Sequence, residues 1–183
     1  RSVSRGLGDV YKRQEALQGK NALILSAREE NYKGVAASAV LAYGQKVGAE
    51  SSVDINLAKQ LNVLISQIGV DMGNIVMNVG TATAGYGFEY VVSTLDRVKA
   101  AALGQNDAQL QMPIMTPVGD ETWVVKESVA SEEDMPAWGS REERGVDMEV
   151  TTAMAVLASG SNAVILKHPT SVATVSKLIR ELM

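Results

Sequence analysis

The side chains that could do chemistry in this chain fall into a few short stretches. Glu50, Asp54 and Asn56 stand close together after an apolar run, and paired carboxylates of this kind suit general acid–base work or a divalent cation. Asp54 has a second use, because an Asp just before an apolar helical pattern caps that helix. The stretch Asn78-Val-Gly-Thr-Ala-Thr-Ala-Gly-Tyr-Gly87 is richer still. Gly80, Gly85 and Gly87 let backbone approach a ligand closely, and Thr81, Thr83 and Tyr86 add hydroxyls to the backbone N–H donors. The same composition equally serves a turn leading into a helix at Phe88. Ser26, Arg28, Glu29, Asn31, Thr116, Glu121 and Lys167 follow other apolar runs, and His168 is the only histidine.

Several chemistries are excluded. The chain has no Cys, so it holds no disulfide, no thiolate zinc site and no iron–sulfur cluster of its own. A lone His before Pro169 suits a helix cap or a satisfied core position better than a metal site, and no D-x-H-x-x-G stretch offers a cobalt-ligating His. No Ser/His/Asp or Cys/His set is present. Trp123 and Trp138 read as packing anchors. There is no G-x-G-x-x-G and no G-x-x-x-x-G-K-[ST], so neither dinucleotide nor P-loop binding has a motif. A net charge of −4 argues against nucleic acid. No apolar run approaches the ~20 residues of a membrane span, and no signal-peptide core is seen. The expectation is a cytoplasmic protein with no membrane or nucleic-acid partner.

The elements that must position these residues alternate. Apolar runs at Ala22–Leu25, Val47–Ala49, Ile75–Met77, Leu110–Met115 and Ala163–Leu166 suit parallel strands covered on both faces. Between them lie helical stripes: Leu57, Leu61, Leu64, Ile65 and Ile68; Phe88, Val91, Val92, Leu95, Val98 and Ala102; Val150, Ala153, Met154 and Leu157; Val172, Val175, Leu178, Ile179 and Leu182. Gly44, Gly69, Gly104 and Gly160 stand where helices should end in a left-handed residue, and Pro169 where the last should begin. Ser131–Gly145 reads as a polar interruption, a solvated loop or ragged helix between two stretches of helix. Five β-α units predict an α/β protein with a parallel sheet. A (β/α) barrel suits this order, with the candidates above at strand ends, but a complete one takes about 200 residues or more. An open partial barrel is therefore expected.

The first fourteen residues lack this order. Ser4–Gln14 resembles a translated sequencing adapter, so residues 1–14 are expected to be a non-native, disordered tail. Residues 15–183 are then expected to be the C-terminal portion of a single TIM-barrel domain.

Five blocks carry a family resemblance: Glu50–Asn62, Gly80–Tyr90, Leu110-Gln-Met-Pro-Ile114, Glu121-Thr-Trp-Val-Val-Lys-Glu127 and Lys167-His-Pro169. In this order they resemble the delta subunit of the CO dehydrogenase/acetyl-CoA synthase complex, the small subunit of the corrinoid iron–sulfur protein of the reductive acetyl-CoA (Wood–Ljungdahl) pathway. The resemblance implies a (β/α)8 TIM barrel, here about strands four to eight. It implies a heterodimer with a large (gamma) subunit that carries the iron–sulfur cluster, and a corrinoid (cobalamin) shared between the two. It also implies transient partners, acetyl-CoA synthase and a methyltransferase. The cobalt would take a methyl group from a methyl-tetrahydropterin and pass it to acetyl-CoA synthase. The small subunit would shield the corrinoid within a methyl-transfer complex without itself being a complete catalyst. Thr81, Thr83, Gly85, Tyr86 and Gly87 are then the candidate corrinoid- or partner-facing residues, with Asn78, Gln111 and His168 beside them. No catalytic residue and no metal ligand is expected in this chain. The alternative is a free-standing pterin-binding methyltransferase barrel that recruits Glu50, Asp54, Asn56 and Asn78. A third is a purely structural subunit, all corrinoid contacts being the partner's. The strands at Ala22–Leu25 and Ala163–Leu166 are expected to have bare edges that favour aggregation.

Overall fold

A computed structural model describes Lys12 and Gln14–Leu182. The adapter-like stretch through residue 11, with Arg13, lies outside the described residues. Gln14, which ends that stretch, is buried, and its carbonyl accepts a 2.7 Å hydrogen bond from Gln45 Nε2.

Five short strands run parallel: β1 (Leu23–Ala27), β2 (Lys46–Glu50), β3 (Ile75–Asn78), β4 (Met115–Thr116) and β5 (Ala163–Val164). β1, β2 and β3 form one ladder and β4 and β5 another, with a single parallel bridge from Met77 to Ile114 between them. The spatial order thus follows the chain order, as in singly wound α/β sheets. The sheet is not closed, since among the described strands β1 pairs only with β2 and β5 only with β4.

The helices are α1 (Tyr32–Ala36, widening to a π-helix over Ala37–Ala42), α2 (Ile55–Gln67), α3 (Phe88–Lys99, widening to π over Ala100–Gly104), α4 (Val118–Thr122), α5 (Lys126–Val129), α6 (Arg141–Ala158) and α7 (Pro169–Leu182). Leu61 and Ile65 of α2, Leu95 and Val98 of α3, and Ile75 and Met77 of β3 are almost wholly buried and form the centre of the core. Burying each such side chain is worth about 1.5–3 kcal/mol. This is why the 3.6-residue stripes prevail over the β-branched residues within them.

The ends of α2 and α7 follow local rules. Asp54 caps α2, its Oδ1 accepting from the backbone N–H groups of Asn56 (2.8 Å) and Leu57 (3.2 Å). Pro169 opens α7. Gly44, Gly69 and Gly160 adopt positive φ after their helices.

Two expectations are corrected. Gly104 is not a left-handed terminator: it lies inside the π-turn of α3, where the wider coil carries the chain on, and Asn106 (φ 52°) takes that conformation. The apolar run Leu110–Met115 is mostly not strand. Its first residue closes a 3₁₀ turn, and only Met115 and Thr116 form a ladder, with Leu110 and Met112 filling the core from a loop. The polar segment Ser131–Gly145 is, as read, a loop that runs into helix between two helices, α6 beginning at Arg141. Its loop portion is fastened by Arg144, which donates to the carbonyls of Glu127 (2.7 Å) and Ala130 (2.9 Å).

No helix among the described residues is long and apolar enough to cross a membrane.

Candidate functional site

The C-terminal ends of β1 to β4 open into one cleft of about 350 Å³. β1 contributes Leu25, Ser26 and Arg28; β2 brings Glu50, Ser52 and Val53. Asn78, Gly80 and Thr81 follow β3, and Pro117, Asp120 and Glu121 follow β4. This is the edge where open and closed parallel α/β sheets place ligands, because successive loops converge there.

The cleft is walled by strained backbone. Ser26 (φ 65°), Ser52 (φ 48°) and Val53 (φ 63°) are all left-handed without being glycine, and a β-branched residue there is unusual. Such conformations cost of order 1–3 kcal/mol each and gather where ligands bind. The Ser52–Val53 turn is held by Val53 N–H, which donates to Val79 O at 2.6 Å, and by Gly80 beneath it. A Cβ on Gly80 would lie 3.2 Å from Val53 Cγ2, so only glycine lets the β2 and β3 loops pack this closely.

At the mouth of the cleft Arg28 Nη2 donates to Glu50 Oε1 at 2.7 Å. The Glu50 carboxylate holds the Arg28 pKa above its already high ordinary value, first through this hydrogen bond and then through its charge. Asp120, on the opposite wall, meets Lys167 at 3.1 Å. Thr81 Oγ1 is enclosed and has no hydrogen-bond partner among the described residues. A buried hydroxyl without a partner costs about 1–3 kcal/mol.

The predicted site residues separate. Asn78 and Thr81 line the cleft; Asn78 Oδ1 accepts from Gly80 N–H at 3.0 Å and shapes the turn. Thr83 is buried behind it, its hydroxyl donating to Glu121 O at 2.9 Å, and the next N–H, of Ala84, donates to Thr152 Oγ1 at 3.1 Å. Both bonds stitch the glycine-rich loop to the β4 side. Gly85 and Gly87 carry it into α3 at positive φ, Gly87 in the N-cap position. Tyr86 is half exposed and donates to Glu127 Oε2 at 2.6 Å. That bond raises the Tyr86 pKa and lowers that of Glu127. Tyr86 and Gly87 line an outer groove with Tyr90 and Arg97, which adjoins the cleft at Val53.

Gln111 and His168 are not brought to the cleft wall. Gln111 precedes β4, at the opposite edge of the sheet, where its Nε2 donates to Ala102 O and Asn106 Oδ1. His168 opens α7. Its Nδ1 accepts from Thr170 N–H at 3.2 Å, and its Nε2 lies 3.2 Å from Glu142 Oε1. Its ring stacks on Trp123 with centroids 5.6 Å apart. Of the carboxylate group, Glu50 faces the cleft while Asp54 is spent on capping. Among the described residues no three His, Cys, Asp or Glu side chains converge as a metal site would need.

Two positioning features escape sequence reasoning. Glu149, on α6, is wholly buried and accepts from the backbone N–H groups of Lys167 (2.6 Å) and His168 (3.2 Å). Gly119 leaves room for it, since a Cβ there would stand 2.8 Å from Glu149 Oε1. The other is the Arg28–Glu50 pair, whose only sequence signal is opposite charges at the ends of adjacent runs.

The architecture is therefore an open, parallel α/β sheet with a polar strand-end cleft and no nucleophile–base constellation among the described residues. The chain matches the model of the CO dehydrogenase/acetyl-CoA synthase delta subunit over residues 10–174. It is 30% identical to acetyl-CoA decarbonylase/synthase complex subunit delta 1 of Methanosarcina thermophila, over 94% of this chain and 40% of that one. It is 32% identical to the subunit delta of Methanothermobacter thermautotrophicus, over 94% and 42%, and 30% identical to that of Archaeoglobus fulgidus, over 94% and 39%. The chain belongs to the CO dehydrogenase/acetyl-CoA synthase delta subunit family. It spans about two fifths of the length of these relatives.

Proposed function

We propose that this chain forms part of the small subunit of a corrinoid iron–sulfur protein and that its strand-end cleft receives one edge of the corrinoid. The supporting observation is the cleft itself, with the enclosed, unpartnered Thr81 hydroxyl and the strained Ser26 and Ser52–Val53 turns around it. Pockets that enclose drug-sized ligands run from about 300 to 1,000 Å³. A corrinoid is larger than such ligands, so a cleft of about 350 Å³ suits a rim of the macrocycle with its side chains. The rest of the cofactor would then lie against another surface, as expected of a heterodimer with a large subunit that carries the iron–sulfur cluster.

The bound corrinoid would supply the cobalt that accepts a methyl group from a methyl-tetrahydropterin for delivery to acetyl-CoA synthase. Residues of this chain hold and shield it. Thr81 offers its hydroxyl, and Ser26 and Ser52 border the same space. Thr83 and Tyr86 act indirectly by tying the loop to Glu121 and Glu127. In this reading the sheet is a portion of a (β/α)8 barrel, and the open flanks of β1 and β5 are where further strands add.

The test is corrinoid retention by a heterodimer of the full-length subunit with the large subunit, followed by visible absorbance through gel filtration. Thr81→Val is expected to lower retention several-fold, and Gln111→Ala to leave it unchanged. Equal retention by Thr81→Val contradicts the assignment. Methyl transfer from a methyl-tetrahydropterin by the full-length small subunit alone would favour the free-standing methyltransferase instead.

A further inference from the structure

We infer that the Arg28–Glu50 pair at the mouth of the cleft is a reader of primary carboxamides, so that the cleft selects a ligand edge bearing neutral –CONH2 groups. This deepens the proposed corrinoid reading and rests on it.

Both residues are anchored at the backbone. Ser26 turns the chain at the end of β1, and Arg28 N–H is held by Asn31 Oδ1 at 2.7 Å. Glu50 ends β2 opposite Asn78 of β3 and is mostly buried, its side chain 15% exposed. The Arg28 side chain is half exposed, at 51%. The contact at 2.7 Å joins one guanidinium nitrogen to Oε1 alone. A guanidinium has five N–H donors and a carboxylate about four acceptor sites, so both partners keep capacity for a further group.

Charge decides what that group is. An anion drawn to Arg28 meets Glu50 beside it and Asp120 and Glu121 across the cleft. A cation drawn to Glu50 meets Arg28. A neutral group that carries an acceptor and a donor side by side is opposed by neither. A primary carboxamide is such a group: its carbonyl accepts from a guanidinium N–H while its NH2 donates to the carboxylate. Hydrogen bonds to charged partners are roughly twice as strong as neutral ones, which makes this recognition selective. The Thr81 hydroxyl, enclosed and unpartnered, can serve a second amide of the same edge. The periphery of a natural corrinoid carries several primary carboxamides, whereas an ester in the same place keeps the acceptor and loses the donor.

The experiment compares dicyanocobinamide, whose carboxamides are intact, with the heptamethyl ester of dicyanocobyrinic acid. Binding to the full-length subunit, with the large subunit present, is measured by equilibrium dialysis. The wild type is expected to prefer the amide corrinoid at least tenfold. Glu50→Gln and Arg28→Lys are each expected to reduce that preference to threefold or less while circular dichroism stays unchanged. Glu142→Gln, outside the cleft, is expected to keep it. Tight binding of both corrinoids with equal affinity overturns the carboxamide assignment and leaves the proposed function standing. Binding of neither overturns the proposed function, and this inference with it.

Discussion

Replacing Glu149 tests how the strand-end loops are held in place. Its carboxylate lies at the centre of the β5–α7 junction, wholly buried, and accepts from two consecutive backbone N–H groups, those of Lys167 and His168. Hydrogen bonds to a charged group contribute about 1.5–3 kcal/mol each. Glu149→Ala removes both and strands two donors, so the expected loss is about 3–5 kcal/mol, a large part of the 5–15 kcal/mol by which native proteins are stable. Glu149→Gln keeps the shape but turns an NH2 toward one of the two N–H groups, and an intermediate loss of about 1–3 kcal/mol is expected. The assay is urea unfolding followed by tryptophan fluorescence in a Trp138→Phe background. Trp123 then reports alone, and it stacks directly on His168. The urea midpoint should fall with an unchanged slope. The exposed Glu142, changed to Gln, should move it by less than about 0.5 kcal/mol. A loss below about 1 kcal/mol for Glu149→Ala refutes the claim that this carboxylate fixes the junction.

Other outcomes follow from single contacts. Gly145→Ala places a Cβ against the Trp123 ring and is expected to cost about 1–3 kcal/mol in a thermal or urea melt, with altered Trp123 fluorescence. Gly80→Ala forces a side chain at φ 80° against Val53; a loss above about 1 kcal/mol in the same melt and a weaker corrinoid interaction are expected. Ser52→Gly relieves a left-handed serine and is expected to stabilise by up to about 1 kcal/mol in urea unfolding. The Tyr86–Glu127 bond has two pH limits. Because the Glu127 pKa is lowered, its contribution is present above the ordinary carboxylate range and is lost as pH falls through the folded value; because the Tyr86 pKa is raised, its contribution is present below the ordinary phenol range and is lost as pH rises through the folded value. Carboxyl carbon NMR should show Glu127 returning toward its ordinary range in Tyr86→Phe.

What could be read from the amino acids was whatever depends on near neighbours. The Leu57–Ile68 stripe, Asp54 as its cap and Pro169 as a helix start are local patterns, and they fold as read. The strand ends at Glu50 and Asn78 were legible for the same reason. Leu110–Met115 misleads because an apolar run fills a core as well from a loop as from a strand. Thr81 and Thr83 are alike in sequence and two positions apart, yet only the fold shows Thr83 turned to Glu121 and Thr81 turned to the cleft. Glu149 sits among apolar helix residues like any surface acid. Its role appears only once the N–H groups of residues 167 and 168 are brought beneath it.

The corrinoid-bearing surface of the large subunit is expected to meet this chain at the strand-end cleft. Hydrogen–deuterium exchange of the full-length subunit, with and without the corrinoid-loaded large subunit, tests it most directly. Protection is expected at residues 26–28, 50–53 and 80–83, with none at 102–111 on the opposite edge. Protection confined to that opposite edge, or to the outer faces of α2 and α3, would contradict it.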